Sequence, residues 1–238
     1  MNDGYVMVGS PVMPILLYVL IDLFPNLALA YLPFRHHLRL PLSKAVGASA
    51  VLYVAIAGCR ILNWYHPEWS MALTVGWIFL YILFYRLCIR GHLSKMVFVL
   101  LCILNYNSFI MIVGSYLNYY RLGNEAMGPY SLPHTLMNLV VLVLTYPAVA
   151  YVFRQKIGPL VDFPEPQKTW NYLWLIPATF CLSYYYNIFS GGGLSIYITR
   201  FENIIFAALY NAGAFFVTVV IVHLLAVSNN YLLLKTEH

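Results

Sequence analysis

The residues of this chain that could do chemistry are a few polar side chains set within long apolar stretches. Asp22 lies midway along the first stretch, and Arg60 lies towards the end of the second. Asn105 lies in the fourth stretch and Asn211 in the seventh. Because a polar group is costly to place in lipid, we predict these four as candidate ligand-sensing residues. The alternative, that they only join neighbouring helices by ion pairs or hydrogen bonds, stays open.

Aromatic residues collect near the ends of the same stretches. One interpretation is an interfacial belt, in which amphipathic rings lie at the level of the lipid headgroups. The other is a shallow aromatic pocket for a peptide or a small apolar ligand, and it adds Tyr119 and Tyr185 to the candidate sensing residues. The group as a whole contains Trp64, Tyr65, Tyr116, Tyr119, Tyr120, Tyr184 to Tyr186 and Tyr197.

The motifs of common catalytic sites are not found in this sequence. Ser108 and His223 could be paired as a nucleophile and base only arbitrarily, and no His-Glu-x-x-His pattern occurs. The run from Gly191 to Gly193 is not followed by the Lys-Ser/Thr of a phosphate-binding loop. The four cysteines have no paired spacing. We therefore expect no catalytic residue, no metal site and no cofactor.

The elements that must position these residues are membrane-spanning helices. The chain is 62% hydrophobic and only 9% charged, and its mean hydropathy is +0.75, whereas about a quarter of a soluble globular sequence is charged. A bilayer-spanning helix needs roughly 20 apolar residues. We predict an all-α polytopic bundle of seven helices: Val12 to Phe34, Ala45 to Trp64, Met71 to Phe84, Met96 to Leu117, Thr135 to Phe153, Trp170 to Phe189 and Ile204 to Leu225.

The basic residues alternate from one connection to the next. Ten of the thirteen Lys and Arg residues lie in the first, third and fifth connections or at the C-terminal end. By the positive-inside rule those connections are cytoplasmic, which puts the N-terminus outside and the C-terminus inside. The net charge of +5 is concentrated at helix ends, where anionic lipid headgroups explain it better than nucleic acid does.

The C-terminal end continues the seventh helix without an interrupting Pro or Gly. We predict two parts, a transmembrane domain over residues 1–226 and a cytoplasmic linker-helix stub over residues 227–238. Spacings of three and four residues in the stub resemble the first turns of a coiled coil. Such a helix suggests that the natural product continues or that the helix passes motion to a partner. We predict Asn230, Tyr231 and Leu232 as the residues of signal output.

Two stretches carry a resemblance to a known family. The segment Tyr31-Leu-Pro-Phe-Arg-His-His-Leu-Arg-Leu-Pro-Leu-Ser-Lys44 resembles the first cytoplasmic loop of the membrane sensor regions of Gram-positive GHKL-type sensor histidine kinases. The tail from Val227 to His238 is similar to the linker helix that leads into their dimerisation module. The family includes the accessory-gene-regulator type, which responds to secreted peptides.

The resemblance implies a sensory domain of a two-component system in the bacterial cytoplasmic membrane. It implies a homodimer that acts through a cytoplasmic kinase module and a response regulator. The family's Arg-His-Asp phospho-acceptor motif and ATP-binding fold do not occur in this chain, so the role of acceptor is not assigned to His238. The alternative is a small transporter or transporter subunit, with a polar path lined by Asp22, Arg60, Asn105 and His223. An intramembrane enzyme is the third alternative.

Overall fold

Every predicted stretch coincides with helical structure in the computed structural model, which describes residues 11–122, 130–162, 167–190 and 201–236. Within these ranges the chain forms helices and no β-strand. A short 3₁₀ turn, Pro67–Trp69, precedes the third helix, and a π-helical turn, Phe153–Ile157, follows the fifth. The α-helices are α1 (Val12–Tyr31), α2 (Leu42–Tyr65), α3 (Ser70–Cys88), α4 (Leu93–Leu122), α5 (Leu132–Val152), α6 (Gly158–Asp162), α7 (Gln167–Leu173), α8 (Leu175–Ser190) and α9 (Phe201–Thr236).

Five apolar helical segments in the described residues are long enough to cross a membrane: Val12–Tyr31, Ser43–Tyr65, Leu93–Arg121, Leu132–Asp162 and Phe201–Ile221. The segment Ala72–Cys88 is also apolar but shorter. Large apolar side chains cover the outside of the bundle, among them Val51, Phe79 and Phe216. Exposing such an extensive apolar surface to water is unfavourable, whereas exposing it to lipid is not. The chain is therefore a helical protein of the membrane type.

Helix α4 is the centre of the bundle. Of its most apolar window 56% is buried, against 28–33% for the other four long segments. It packs against α1, α3, α5, α7, α8 and α9. Polar residues on α4 therefore meet protein on most sides, and the candidate sites lie around this helix.

The α4–α5 crossing brings two backbones into close approach. A Cβ atom added at Gly114 would lie 3.1 Å from the Cα atom of Asn138 and would collide with its side-chain amide. Further along the same pair of helices, the hydroxyls of Tyr106 and Thr145 lie 2.7 Å apart. Only glycine leaves room for this crossing, as is common where membrane helices pack tightly.

Two predicted helices differ from the structure in their boundaries or continuity. The sixth predicted span, Trp170 to Phe189, is interrupted at Trp174 between α7 and α8. Pro177 has no backbone N–H to bond with Leu173 and its ring crowds that carbonyl, so a continuous helix is disfavoured there. The fifth helix continues through the π-helical turn Phe153–Ile157 to Asp162 instead of ending at Phe153.

The basic connections meet at one end of the bundle. The connection after α1 and the connection after α3 are joined by a bridge between Leu38 and Ile89. Beside it, the backbone N–H of Arg90 donates to the carbonyl of His37 at 2.6 Å. His37 Nε2 also lies 2.9 Å from Asp162 Oδ1, at the end of α6. The first, third and fifth connections therefore lie together, as alternating antiparallel helices require.

Candidate functional site

A polar cavity of about 80 Å³ lies inside the bundle, among α1 to α5. Asp22 and Arg60 both line it, so the structure brings together the two charged residues that the sequence singled out. The remaining polar and aromatic lining is contributed by Tyr18, Asn26, Trp77, Tyr81, Tyr85, Asn107, Ser108, Thr135 and Asn138.

Asp22 is held by two asparagines. Asn107 Nδ2, on α4, donates to Asp22 Oδ1 at 2.7 Å. Asn26 Nδ2, one turn further along α1, donates to the backbone carbonyl of Asp22 at 2.7 Å and approaches Oδ1 at 3.4 Å. Pro25 lies inside α1 between them and removes one backbone donor from the helix. The two amides thus fix the carboxylate at the wall of the cavity.

Arg60 is positioned by an aromatic ring. Its guanidinium carbon lies 5.4 Å from the centre of the Trp77 ring, within the range of a cation–π contact. Arg60 and Asp22 line the same cavity. They do not form a direct ion pair, because the ion pairs among the described residues join His37 to Asp162 and His66 to Glu68.

Several buried polar atoms of the cavity residues have no hydrogen-bond partner in the described part of the chain. The donors are Arg60 Nε, Trp77 Nε1 and the Tyr85 hydroxyl, and the acceptors are the Oδ1 atoms of Asn26 and Asn138. A buried polar group without a partner is destabilising. This mixture of donors and acceptors suits a small polar guest such as water, for which a cavity of about 10–15 Å³ per molecule suffices.

A second, larger cavity lies between α4, α5 and α9, and Asn105 and Asn211 line it. Asn105 Nδ2 donates to the Pro177 carbonyl at 3.0 Å, and its Oδ1 accepts from Cys181 Sγ at 3.1 Å. Asn105 thereby joins α4 to α8 where that helix begins. Of the six residues predicted to sense a ligand, the four within the apolar stretches therefore divide into two pairs, Asp22 and Arg60 at the first cavity and Asn105 and Asn211 at the second.

Of the remaining predicted residues, Tyr119 is not in the described lining of either cavity. The side chains of Tyr185, Asn230, Tyr231 and Leu232 lie outside the described part of the structure, which gives only the helices that contain them. Tyr119 packs against a small separate cluster with Ile112 and Ile204. Tyr185 is part of α8, and the predicted output residues Asn230, Tyr231 and Leu232 are part of α9. His223 is exposed on α9. The polar path predicted for a transporter, from Asp22 through Asn105 to His223, therefore does not correspond to one continuous cavity in the described residues.

The sequence interpretation missed an aromatic face of α3. Trp77, Tyr81 and Tyr85 all line the Asp22 cavity. Their spacing of four residues puts them on one side of a helix, and this signal was present in the sequence.

Comparison of the chain with protein-family models, with curated proteins and with solved structures finds no match.

Proposed function

We propose that this chain is the sensory membrane domain of a two-component signalling system. In this proposal α9 passes a stimulus from the bundle to a cytoplasmic kinase module. The observation that carries it is the length of α9, which continues unbroken for 36 residues. At 1.5 Å per residue it is about 54 Å long, well beyond the roughly 30 Å of a bilayer core. A rigid helix of this kind suits the transfer of a small shift or rotation.

The direction of α9 supports the same proposal. Phe201, at its start, packs on Tyr116 near the end of α4. Further along, α9 contacts the π-helical turn Phe153–Ile157 beside the basic connections. The part of α9 beyond the bundle therefore extends from the basic end. In our proposal this end is cytoplasmic, the N-terminus is outside, and the protein acts as a homodimer in the bacterial cytoplasmic membrane.

The proposed topology has seven spans. The five long apolar segments supply five of them, α3 supplies the third, and α7 with α8 supplies the sixth. The positions of the basic connections at one end support an odd number. The test is thiol labelling of single-cysteine substitutions from outside intact cells, with the parent chain as the background control. We expect Gly192→Cys to be labelled and Lys235→Cys to be protected. Labelling of Lys235→Cys from outside would overturn the orientation.

The test of signal transfer uses the helical phase of α9. The chain is fused after Thr236 to the dimerisation and ATP-binding module of a histidine kinase, with one to four alanines inserted at the junction. Each residue turns a helix by about 100°. Two insertions, about 200°, should change autophosphorylation most, and four, about 40°, should nearly restore it. The same insertions after a flexible Gly-Ser linker are the control. Autophosphorylation that ignores helical phase would contradict the proposal.

The second candidate function is a small transporter, and the polar cavity around Asp22 and Arg60 is the observation that favours it. Its test is uptake of a solute into liposomes containing the purified chain, compared with the Asp22→Asn variant. Uptake that requires Asp22 would support the transporter and contradict the sensor.

A further inference from the structure

The cavity between α4, α5 and α9 has the dimensions of a ligand site. Its volume is about 350 Å³, within the range of roughly 300–1,000 Å³ found for small-molecule pockets. It is also the cavity that directly contacts the proposed output helix. The described part of the lining is mostly apolar and contains Cys102, Asn105, Tyr106, Phe109, Leu144, Thr145, Ala148, Val149, Asn211, Ala212, Ala214 and Thr218.

Of the two asparagines in the described lining, Asn211 has the side-chain oxygen that can meet a ligand, because Asn105 Oδ1 already accepts from Cys181. The Tyr106 and Thr145 hydroxyls bond to each other, and Thr218 donates to the Ala214 carbonyl at 2.8 Å. Asn211 Nδ2 donates to the Ala207 carbonyl at 2.9 Å, whereas no described residue donates to Asn211 Oδ1. Asn211 is 8% exposed. The described lining is therefore largely apolar, and Asn211 Oδ1 is an amide acceptor in it that no described residue satisfies. The hydroxyl oxygens of Thr145 and Thr218, whose protons go to backbone carbonyls, also keep lone pairs.

The depth of Asn211 restricts what can reach that acceptor. It lies ten residues into α9, about 15 Å along the helix axis and hence near the middle of a bilayer core about 30 Å thick. Leu144 and Ala148, in the lining of the cavity, are exposed on the outside of the bundle. A ligand would therefore enter sideways from the hydrocarbon, without passing through water.

We propose that this cavity binds a membrane-dissolved amphiphile with one alkyl chain and one hydroxyl or amide N–H donor, and that the donor bonds to Asn211 Oδ1. A phospholipid acyl chain fits the volume but has no donor, and phospholipid donors lie in the headgroup region, about half a bilayer away. An alcohol or amide of low polarity can bring its donor to mid-depth. The cavity wall then selects the chain, and Asn211 selects the donor.

This inference deepens the proposed function by assigning the class of stimulus. The ligand would contact α4, α5 and α9 at once, so its affinity depends on where α9 lies against the other two. A ligand shifts a conformational equilibrium only through such a difference in affinity. Binding in this cavity would thus act on the output helix without an intermediate relay.

The experiment is photolabelling of the full chain in lipid nanodiscs. The probe is dodecanol carrying a diazirine on its chain, and labelled peptides are mapped by mass spectrometry. We expect saturable labelling within residues 102–109, 144–149 and 211–218, suppressed by unlabelled dodecanol. The methyl ether of the probe, which has no donor, should label these segments several-fold less. Unsaturable labelling spread over lipid-facing residues such as Val51 and Phe79, or equal labelling by the ether, would overturn the proposal.

Matched variants separate the cavity from the lipid-facing surface. Ala148→Phe fills the cavity and should abolish saturable labelling, whereas Val143→Phe, also exposed on α5 but outside the lining, should leave it unchanged. Ala148→Leu replaces the first variant if far-UV circular dichroism shows misfolding. Asn211→Leu should reduce dodecanol labelling by roughly 3- to 10-fold, as expected for one lost hydrogen bond, and should not affect the ether. Unchanged labelling in both Ala148→Phe and Asn211→Leu would refute the site.

The labelling assay needs no kinase module, so its outcome is independent of the phase test of α9. If labelling is saturable but autophosphorylation does not depend on the number of inserted alanines, the ligand site is supported and the sensor function is rejected. Phase-dependent signalling without saturable labelling would keep the sensor and reject this site.

Discussion

The close crossing of α4 and α5 predicts that Gly114→Ala destabilises the bundle. The new Cβ would lie 3.0 Å from Asn138 Cγ and 3.1 Å from Asn138 Cα. Rotation of the Asn138 side chain can relieve the first contact, but only a backbone shift can relieve the second. Overpacking of this kind costs about 1–3 kcal/mol.

Gly58 serves as a control that separates the cost of overpacking at Gly114 from the effect of helix propensity. Ala is favoured over Gly in a helix by about 1 kcal/mol, and Gly58→Ala should show that gain alone because its Cβ meets nothing within 4 Å. Gly114→Ala should therefore be about 1–3 kcal/mol less stable than Gly58→Ala, which corresponds to about 5- to 150-fold in the unfolding equilibrium. The assay is unfolding by sodium dodecyl sulfate in mixed micelles, followed by far-UV circular dichroism.

A double mutant tests the cause of the destabilisation. Adding Asn138→Ala to Gly114→Ala removes the amide contact but keeps the backbone contact, so stability should recover in part, with a coupling of about 1 kcal/mol or more. If Gly114→Ala and Gly58→Ala unfold at the same detergent fraction, the close approach of α4 to α5 is wrong.

Three further predictions concern polar contacts, each read out as the free energy of unfolding. Asn107→Leu removes the donor to Asp22 Oδ1 and should cost about 1–3 kcal/mol, the usual value for a buried polar group left without its partner; a change below about 0.5 kcal/mol would argue against this contact. Asp162→Asn breaks an ion pair that is 39% exposed on each side and should cost at most about 1 kcal/mol, so a larger loss would contradict the exposed geometry. Glu68 accepts hydrogen bonds from its own backbone N–H and from His66, and these lower its pKa in the folded protein. Its contribution to stability is thus present above the ordinary Glu pKa and is lost as the pH falls through the lowered value; Glu68→Gln should lose less stability than the parent chain between about pH 7 and about pH 3, and identical losses would refute the assignment.

The helices themselves could be predicted from the sequence because the length of an apolar run is a local property. The predicted span from Ala45 to Trp64, for example, lies within α2. Hydropathy does not predict the break at Trp174, because the sequence stays apolar through Pro177. The helix is interrupted there because Pro177 has no backbone N–H to donate. The predicted span was wrong where the backbone chemistry of a single residue, and not the hydropathy around it, decided the continuity of the helix.

Partners across the bundle could not be predicted in the same way. The membrane depth of Asp22 marked it as a site residue, but nothing local in the sequence indicates that Asn107, rather than Asn105, faces it. Asn105 and Asn211 likewise share a cavity although they are far apart in the chain. Which helices are neighbours, and how each is rotated, depends on packing over the whole bundle.

The central position of α4 has a consequence for how the protein is assembled. The most apolar window of α4 has the same mean hydropathy as that of α9, 2.2, although 56% of one and 29% of the other is buried. Insertion into a bilayer depends on hydropathy, so at that step the two helices are equivalent. Their different places are decided afterwards, when α4 exchanges lipid neighbours for protein neighbours. Close contact at Gly114 and the amide of Asn107 can direct that exchange, because both act only once another helix is adjacent.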